Sequence, residues 1–403
     1  MSSFTLPDGL PMVHLPSDSQ VVYCGIAVHA GTRHEAPDQH GLAHLCEHLM
    51  FKGTARRTAR RIINDIEGLG GELNAFTNKE DTVYYCAIRR EHLRRAVDVL
   101  CDIVFNSTFP QHEVEKEREV VCDEIDSYED SPAELIYDEF ENILFQGHPL
   151  GHNILGTAEG VRRYDTAHAR RFTQQWYRPE NSVFFLSGGG NIKLPPFTPL
   201  ITPSPFPLPA SSFHLPPSAL TTPIVRHRGT HQAHVIMGTV AFAADDPRRW
   251  ALYLLNNILG GPAMNSVLNL TLRERHALVY TVDSSMTSYS DTGIWTLYFG
   301  CDPADVRPCI RLVRRELDKL MHKPLSAARL SSAKQQLQGQ LAIACENREQ
   351  YVIDFARTIL HTGKPRTLHT VMDHVQSVTP ADIMQTAQLL FAHERMLTLV
   401  YTA

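Results

Sequence analysis

The sequence predicts a protein of mixed α and β structure, arranged as two blocks of similar size. Three observations support this fold class. The 403 residues are too many for one hydrophobic core, a proline-rich tract divides the chain near its middle, and both blocks begin with the same order of predicted elements. Apolar residues make up 43% of the chain and charged residues 20%, which is an ordinary globular composition.

The proline-rich tract marks the boundary between the blocks. Residues 195–223 contain ten of the chain's 25 prolines. Proline has no backbone N–H and a fixed φ, so neither a helix nor an inner strand can form there. The sequence therefore predicts an N-terminal unit over residues 1–190, an extended linker over 191–225 and a C-terminal unit over 226–403.

The first block has the stronger periodic signals. Its alternating residues 21–28 predict a strand, and residues 72–88 predict a pair of strands that turns at 78–81. The predicted helices cover residues 38–52, 58–69, 92–105 and 111–129. The second of them should end at Gly70 and Gly71, because glycine suits the residue after a helix.

The second block begins in the same way as the first. Residues 234–240 predict a strand, residues 245–249 a polar loop and residues 250–259 a helix. A duplicated α+β unit would produce this recurrence. An unrelated mixed fold can contain the same triplet, so the residues alone leave both interpretations open.

Charge and cysteine content narrow the class of partner and the cellular compartment. The formal net charge of -6 gives no basic surface for nucleic acid and no attraction to an anionic membrane. The eight cysteines form no C-x-x-C pair, which favours reduced thiols in the core. No secretory signal, mitochondrial presequence or run of transmembrane length is found. We therefore expect a cytoplasmic protein.

His44, Glu47 and His48 lie within an apolar run that predicts a helix. On a helix the two histidines are four residues apart on one face, where both rings can bind one Zn²⁺. Glu47 flanks that face and could take a proton from a water molecule. The alternative is a pair of core histidines beside an exposed glutamate.

A catalytic zinc site needs a third protein ligand and one open position. The best candidates lie on the acidic helix over residues 111–129, where Glu117 and Glu124 are seven residues apart and share a face. The other glutamates of this helix, Glu113, Glu115 and Glu119, are expected to face solvent.

These residues resemble a known family, the pitrilysin and insulin-degrading enzyme type of zinc peptidase, whose motif is H-x-x-E-H. Its smaller members include the mitochondrial processing peptidase subunits and bacterial peptidases of about this length. The resemblance covers most of the chain. It includes residues 6–10, 31–35, 41–54, 70–77, 117–118, 124, 272–274 and 280.

The resemblance implies a fold and a ligand set. Each block would be one α+β unit, with helices on one face of a mostly antiparallel sheet. Glu124, 76 residues beyond His48, would be the third zinc ligand. Glu117 would orient the ligands by accepting a hydrogen bond from a ligand imidazole. Glu47 would be the general base, with one zinc ion per chain.

The resemblance also implies residues that contact substrate. Asn74, Ala75 and Phe76 would belong to an edge strand to which an extended peptide adds as another strand; the alternative is an ordinary capped edge. Arg273 would position the substrate and Tyr280 would hydrogen-bond the scissile carbonyl. Without the resemblance, this pair would be read as a surface arginine and a core tyrosine.

One local departure from the family is visible. The usual Gly-Leu-Ala-Tyr is here Ala277-Leu278-Val279-Tyr280, and the added methyl group would shift the loop before Tyr280.

The implied activity is zinc-dependent hydrolysis of peptides or unfolded segments inside a clamshell chamber. In large members of the family, four units in one chain close the chamber, and the arginine and tyrosine come from the half opposite the zinc. A chain of two units therefore implies a homodimer with two composite sites. The alternatives are a heterodimer with another chain and a non-catalytic partner subunit.

Overall fold

The computed structural model describes residues 6–190 and 222–403. Most of the predicted linker over 191–225 lies outside these ranges, although Ile224 and Val225 already belong to a strand. The described residues divide into two compact units. The first unit includes Ala344–Arg366 from the C-terminal half of the chain, and the second includes Tyr128–Gln146 from the N-terminal half.

The first unit contains a five-stranded sheet in which only the neighbours β1 and β5 are parallel. Its strands are β1 (Met12–Leu15), β2 (Val21–Val28), β3 (Glu72–Thr77), β4 (Thr82–Arg89) and β5 (Ser182–Ser187). Their order is β1-β5-β2-β4-β3. The predicted strand pair is therefore the hairpin β3–β4, and β3 forms an edge of the sheet.

The second unit repeats this topology. Its strands are β6 (Ile224–His227), β7 (Ala233–Ala241), β8 (Val279–Ser288), β9 (Gly293–Cys301) and β10 (Leu397–Thr402). Their order is β6-β10-β7-β9-β8, and only β6 and β10 are parallel. Each strand thus takes the place of its counterpart in the first sheet, which confirms the fold of two homologous α+β units.

Most of the predicted helices are present at the expected places. In chain order the helices are α1 (Leu42–Leu49), α2 (Ala59–Ile66), α3 (Leu93–Asn106), α4 (Gln111–Glu129), α5 (Pro132–Leu144), α6 (Ala158–Val161), α7 (Thr166–Trp176), α8 (Arg249–Gly260), α9 (Val306–His322), α10 (Ala327–Ala344), α11 (Arg348–Thr362), α12 (Leu368–Ser377) and α13 (Pro380–Leu390). Of the described residues, no helix combines the length and the apolar character needed to cross a membrane.

Two of the predicted helices are longer than the α-helices in the structure. The helix predicted over 38–52 is α1, which starts after Gly41 and ends at Leu49. The helix predicted over 58–69 ends its α-helical part at Ile66 and continues as one 3₁₀ turn. Gly70 then has φ +73, the left-handed conformation expected of a glycine after a helix.

Each sheet is covered on a second face by a single helix from the other half of the sequence. In the first unit, Val352, Ile353 and Ala356 of α11 pack with Val83 and Phe185 of the sheet. In the second unit, α5 packs on β7 and β10. The predicted units 1–190 and 226–403 place both helices with their sequence neighbours, so the compact units differ from the predicted ones in these two segments.

Candidate metal centre

Helix α1 presents the three polar residues of the motif on one side and its apolar residues on the other. Leu45, Cys46 and Leu49 are fully buried in the core of the first unit. The helix begins after Gly41, which has φ +89, a conformation that favours glycine. The motif residues therefore project from a helix that is fixed along its apolar side.

Glu35 caps this helix from a distance in sequence. Its carboxylate accepts hydrogen bonds from the backbone N–H of Gly41 at 3.0 Å and of Ala43 at 2.7 Å. Burial raises the pKa of the Glu35 carboxyl, and these backbone hydrogen bonds oppose that rise. A carboxylate at a helix N-terminus satisfies free N–H groups and complements the helix dipole.

The predicted ligands converge. The Nε2 atoms of His44 and His48 lie 3.8 Å and 3.5 Å from Oε2 of Glu124. The three possible ligand atoms all lie within 4.8 Å of one another. His44 is buried, and the side chain of Glu124 is 45% exposed, so the group opens to solvent on the carboxylate side.

This spacing fits a zinc ion. Two ligands at a zinc distance of about 2.1 Å in tetrahedral geometry are about 3.4 Å apart, close to the two measured separations. The donor set of two imidazoles and one carboxylate is that of a catalytic zinc site, which keeps a fourth position for water or substrate. His44, His48 and Glu124 can therefore hold the ion.

The surroundings shift the pKa values of the two histidines in opposite directions. Burial, and then the neighbouring His48, lower the pKa of His44 to about 4, so its ring is neutral near pH 7. Its buried Nδ1 has no hydrogen-bond partner among the described residues. Burial also disfavours the charged form of His48, but hydrogen bonds to Glu117 and Glu124 outweigh it and raise its pKa to about 9. A metal ion must displace that proton from His48.

Glu117 fixes the orientation of His48. Its Oε2 lies 3.2 Å from His48 Nδ1, which leaves Nε2 directed at Glu124. Glu117 is buried, and burial disfavours its charge. Hydrogen bonds with His48 and Lys52 nevertheless lower its pKa. The Nζ of Lys52 donates to Glu117 Oε1 at 2.8 Å, so Lys52, Glu117 and His48 form one chain of contacts.

We expect Lys52→Met to weaken zinc binding by about tenfold, because a ligand whose supporting hydrogen bonds are lost typically binds metal 10- to 100-fold more weakly. Lys52→Arg should restore most of the affinity. The measurement is competition for zinc against a calibrated chelator. The control is Lys116→Met, which removes a lysine that is 66% exposed on α4. Equal zinc affinity in the wild type and Lys52→Met would show that this contact does not hold Glu117 in place.

Glu47 is oriented by the edge strand β3. Thr77, the last residue of β3, donates from Oγ1 to Glu47 Oε2 at 2.5 Å. Burial raises the pKa of the Glu47 carboxyl, whereas Thr77 and His48 oppose the rise. A carboxyl group with a raised pKa is suited to take up and release a proton near neutral pH.

The predicted substrate-binding residues Asn74, Ala75 and Phe76 lie in β3. Among the described residues β3 pairs with β4 alone, as an edge strand, so its outer backbone groups face away from the sheet. The same strand reaches Glu47 through Thr77, so the edge lies beside the motif. The role of these residues in binding substrate stays a prediction.

Arg273 and Tyr280 belong to the second unit. Arg273 lies in a short π-helix, Asn269–Arg275, with its side chain 49% exposed. Tyr280 lies in β8, the edge strand of the second sheet, and is 62% exposed, which excludes the alternative of a core tyrosine. The alanine at the family's glycine position, Ala277, has φ +50, so the backbone keeps the conformation for which glycine is favoured.

Three residues that serve this site were missed in the sequence: Glu35, Lys52 and Thr77. Glu35 and Thr77 act through contacts that form only after folding. Lys52 lies four residues after His48, so helical spacing offered a signal that it shares a side with that ligand.

The described part of the second unit does not repeat this group of metal-binding residues. Its helix α8 occupies the position of α1 and contains no histidine. There Asn256 accepts a hydrogen bond from Trp295 Nε1 at 2.9 Å and donates one to the backbone oxygen of Ser284 at 3.1 Å. The side-chain amide of Asn256 is thus satisfied by contacts within the second unit.

Comparison with protein families gives two matches. Residues 12–158 match the model described as insulinase, peptidase family M16. Residues 165–337 match the model described as the peptidase M16 inactive domain. The group that can bind metal lies wholly within the first match.

Relatives match along nearly the whole chain. An uncharacterized zinc protease of Streptomyces coelicolor is 32% identical over 415 residues, which cover 98% of this chain and 88% of the relative. An uncharacterized zinc protease of Bacillus subtilis is 32% identical over 393 residues, covering 94% and 92%.

The crystal structure of a protease from Helicobacter pylori has the same fold, with a TM-score of 0.86 at 21% identity over 100% of this chain and 99% of that one.

Proposed function

Because this chain belongs to peptidase family M16, we propose that it is a zinc-dependent endopeptidase that cleaves peptides or unfolded segments. The observation that carries the proposal is the group of His44, His48 and Glu124 at zinc-ligand spacing, with Glu47 beside it. A general base next to a metal site with an open position is the minimum apparatus for metal-assisted hydrolysis.

Zinc, when bound, supplies a Lewis acid that activates water and polarises a carbonyl. Glu47 takes the proton from the attacking water while a new C–O bond forms at the scissile carbon. Glu47 then delivers that proton to the leaving nitrogen as the C–N bond breaks. Thr77 holds the Glu47 carboxylate in one orientation throughout, and Glu117 holds His48.

The substrate proposed for this site is an extended peptide chain. It would pair with the outer edge of β3 at Asn74, Ala75 and Phe76, where main-chain hydrogen bonds give affinity with little dependence on sequence. A folded protein has few free strands to offer, so short or unfolded chains are favoured. Enclosure in a clamshell chamber, as the family resemblance implies, would add a size limit.

Cleavage of a mixed peptide library tests this function. We expect the zinc-loaded protein to cut internal peptide bonds, a chelator to abolish the cutting, and added Zn²⁺ to restore it. The products, identified by mass spectrometry, would show the cleavage preference. A metal-loaded, folded protein that cuts no peptide in the library would contradict the proposal.

The second candidate is a non-catalytic subunit of a heterodimeric peptidase. It is favoured by the match of residues 165–337 to the inactive-domain model. In this chain, however, the first unit retains His44, Glu47, His48 and Glu124, which a binding subunit would not need. The enzyme is therefore the better-supported proposal.

The proposal includes a homodimer in which Arg273 and Tyr280 of one copy complete the zinc site of the other. It is supported by the exposure of Tyr280 on an edge strand. It is also supported by the presence of both the zinc motif and the Arg273/Tyr280 pair in one chain. Mixing two impaired variants, His44→Ala and Tyr280→Phe, should then restore up to about a quarter of the sites after refolding together, because one site in each mixed dimer is intact. If mixing restores no activity, composite sites are excluded.

We also propose that the protein is located in a reducing compartment such as the cytoplasm. All eight cysteines are free thiols, and six of them are buried.

A further inference from the structure

The first unit has a second concave site that contains none of the metal-centre residues. It is a groove between α2 and α3 with a volume of about 810 Å³, a size typical of small-molecule sites. We call it the arginine groove, because five arginines line it: Arg56, Arg57, Arg61, Arg94 and Arg95. So many cations around one cavity need an explanation, since like charges repel one another.

Carboxylates of the fold account for only part of this charge. Arg57, which is buried, bonds to Asp98, to Asp102 at 2.6 Å and to Asp65 at 3.0 Å. Arg56 shares Asp98 and Asp102 with it. The same three aspartates thus bind the inner arginines, and one of them, Asp98, also lines the groove.

The outer arginines, Arg61, Arg94 and Arg95, have few carboxylate partners. Arg95 reaches Asp65 at 2.9 Å, whereas the contact of Arg61 with Asp65 is 3.9 Å and too long for a hydrogen bond. Arg94 has no carboxylate partner among the described residues. Glu91 also lines the groove; it contacts His92, and its charge is balanced by the exposed Arg89, which does not line the groove. Five guanidinium groups therefore face three aspartates, an excess of two positive charges.

The placement of these arginines opposes the helix dipoles. Arg61 lies in the first turn of α2, and Arg94 and Arg95 lie in the first turn of α3. A helix N-terminus carries partial positive charge and favours acidic residues, yet neither first turn contains one. Helix α2 therefore adds positive potential to the cavity, whereas α3 continues from a 3₁₀ turn, Arg90–His92, that contains Glu91.

We propose that the arginine groove binds a phosphate group, with Arg61, Arg94 and Arg95 as its outer ligands. The planar guanidinium fork matches phosphate oxygens bidentately, and a doubly charged oxyanion would balance the two excess charges. Arg94, on the surface, has donors free for this purpose. Free phosphate and a phosphomonoester of a small metabolite share this chemistry.

The test is calorimetric titration of the full-length, zinc-loaded protein with inorganic phosphate and with glycerol 3-phosphate. Any binding at the metal centre is common to the wild type and the groove variants, so the comparison between them reports on the groove. We expect both probes to bind the wild type, and Arg61→Gln/Arg94→Gln to weaken binding at least about tenfold through the loss of two charge-assisted contacts. The probe that binds more tightly would show whether the ligand is free phosphate or a phosphomonoester.

Arg60→Gln is the matched control. It makes the same charge change on an exposed residue of α2 that does not line the groove, and it should bind phosphate as the wild type does. Equal affinity in the double variant, or no binding to the wild type, would overturn the proposal. So would equal binding of a tetraglutamate peptide, because the groove would then be a site for acidic peptide segments.

Discussion

Glu47→Gln should keep its zinc and lose peptide hydrolysis by about 10³-fold, within the range that general base catalysis contributes. Glutamine has nearly the same shape as glutamate and can still contact Thr77, but it cannot accept a proton from water. The metal ligands His44, His48 and Glu124 are untouched, so zinc content should stay at one ion per chain. The measurement is kcat/KM on a peptide found in the library, with zinc content determined on the same sample.

The matched control for this variant is Glu119→Gln on α4, whose carboxylate is 64% exposed. It should cleave at the wild-type rate. If Glu47→Gln cleaves as fast as the control, Glu47 is not the general base. If it loses its zinc as well, its role is to shape the metal site.

The largest effect on stability is expected from Asp81→Ala. Asp81 is fully buried at the turn of the β3–β4 hairpin. It accepts hydrogen bonds from His361 Nε2 at 2.6 Å, from Arg357 Nε at 3.0 Å and from Asn78 at 2.8 Å. Truncation leaves the partly buried donors Arg357 and His361 of α11 without their buried acceptor, and breaking a buried charged pair costs about 3–5 kcal/mol. Urea unfolding monitored by circular dichroism would measure the loss.

The pH dependence of this network has a definite sign. Burial alone would raise the pKa of Asp81, but the hydrogen bond from His361 and the charge of Arg357 outweigh it and hold the pKa well below its ordinary range. A carboxyl group whose folded-state pKa is depressed stabilises the protein above its unfolded pKa, about 3.9, and that stabilisation is lost as pH falls toward the folded pKa. The stability difference between the wild type and Asp81→Ala should therefore be constant near pH 7 and shrink below about pH 4.

Asp373→Ala is the control, since its carboxylate is 65% exposed and, within residues 6–190 and 222–403, pairs with the exposed His369 alone. It should change the free energy of unfolding by less than about 0.5 kcal/mol. A similarly small change for Asp81→Ala would mean that the buried network does not hold α11 on the first sheet.

Local patterns were enough to predict the elements that carry the metal ligands. The helix over 111–129 is predicted at its observed ends, because the signals for its start and its end both lie within that long periodic segment. Glu117 and Glu124 then follow from the spacing of seven along that helix. The family resemblance selected Glu124, which the geometry places beside His44 and His48.

The parts that were missed depend on contacts between distant residues. Helix α1 was predicted too long because its start is set by Glu35, which belongs to no local capping pattern. The exchange of α5 and α11 between the units has no local signal, since each helix is amphipathic whichever sheet it covers. The hydrogen bond from Thr77 to Glu47 likewise exists only once β3 lies beside α1.

The binding of one zinc ion by His44, His48 and Glu124 can be tested directly by anomalous X-ray diffraction from zinc-loaded crystals at the zinc absorption edge. We expect one strong anomalous peak per chain, about 2.0–2.2 Å from Nε2 of each histidine and from a carboxylate oxygen of Glu124. A peak bound elsewhere on the chain, or one that both histidines bind while Glu124 is turned away, would contradict it.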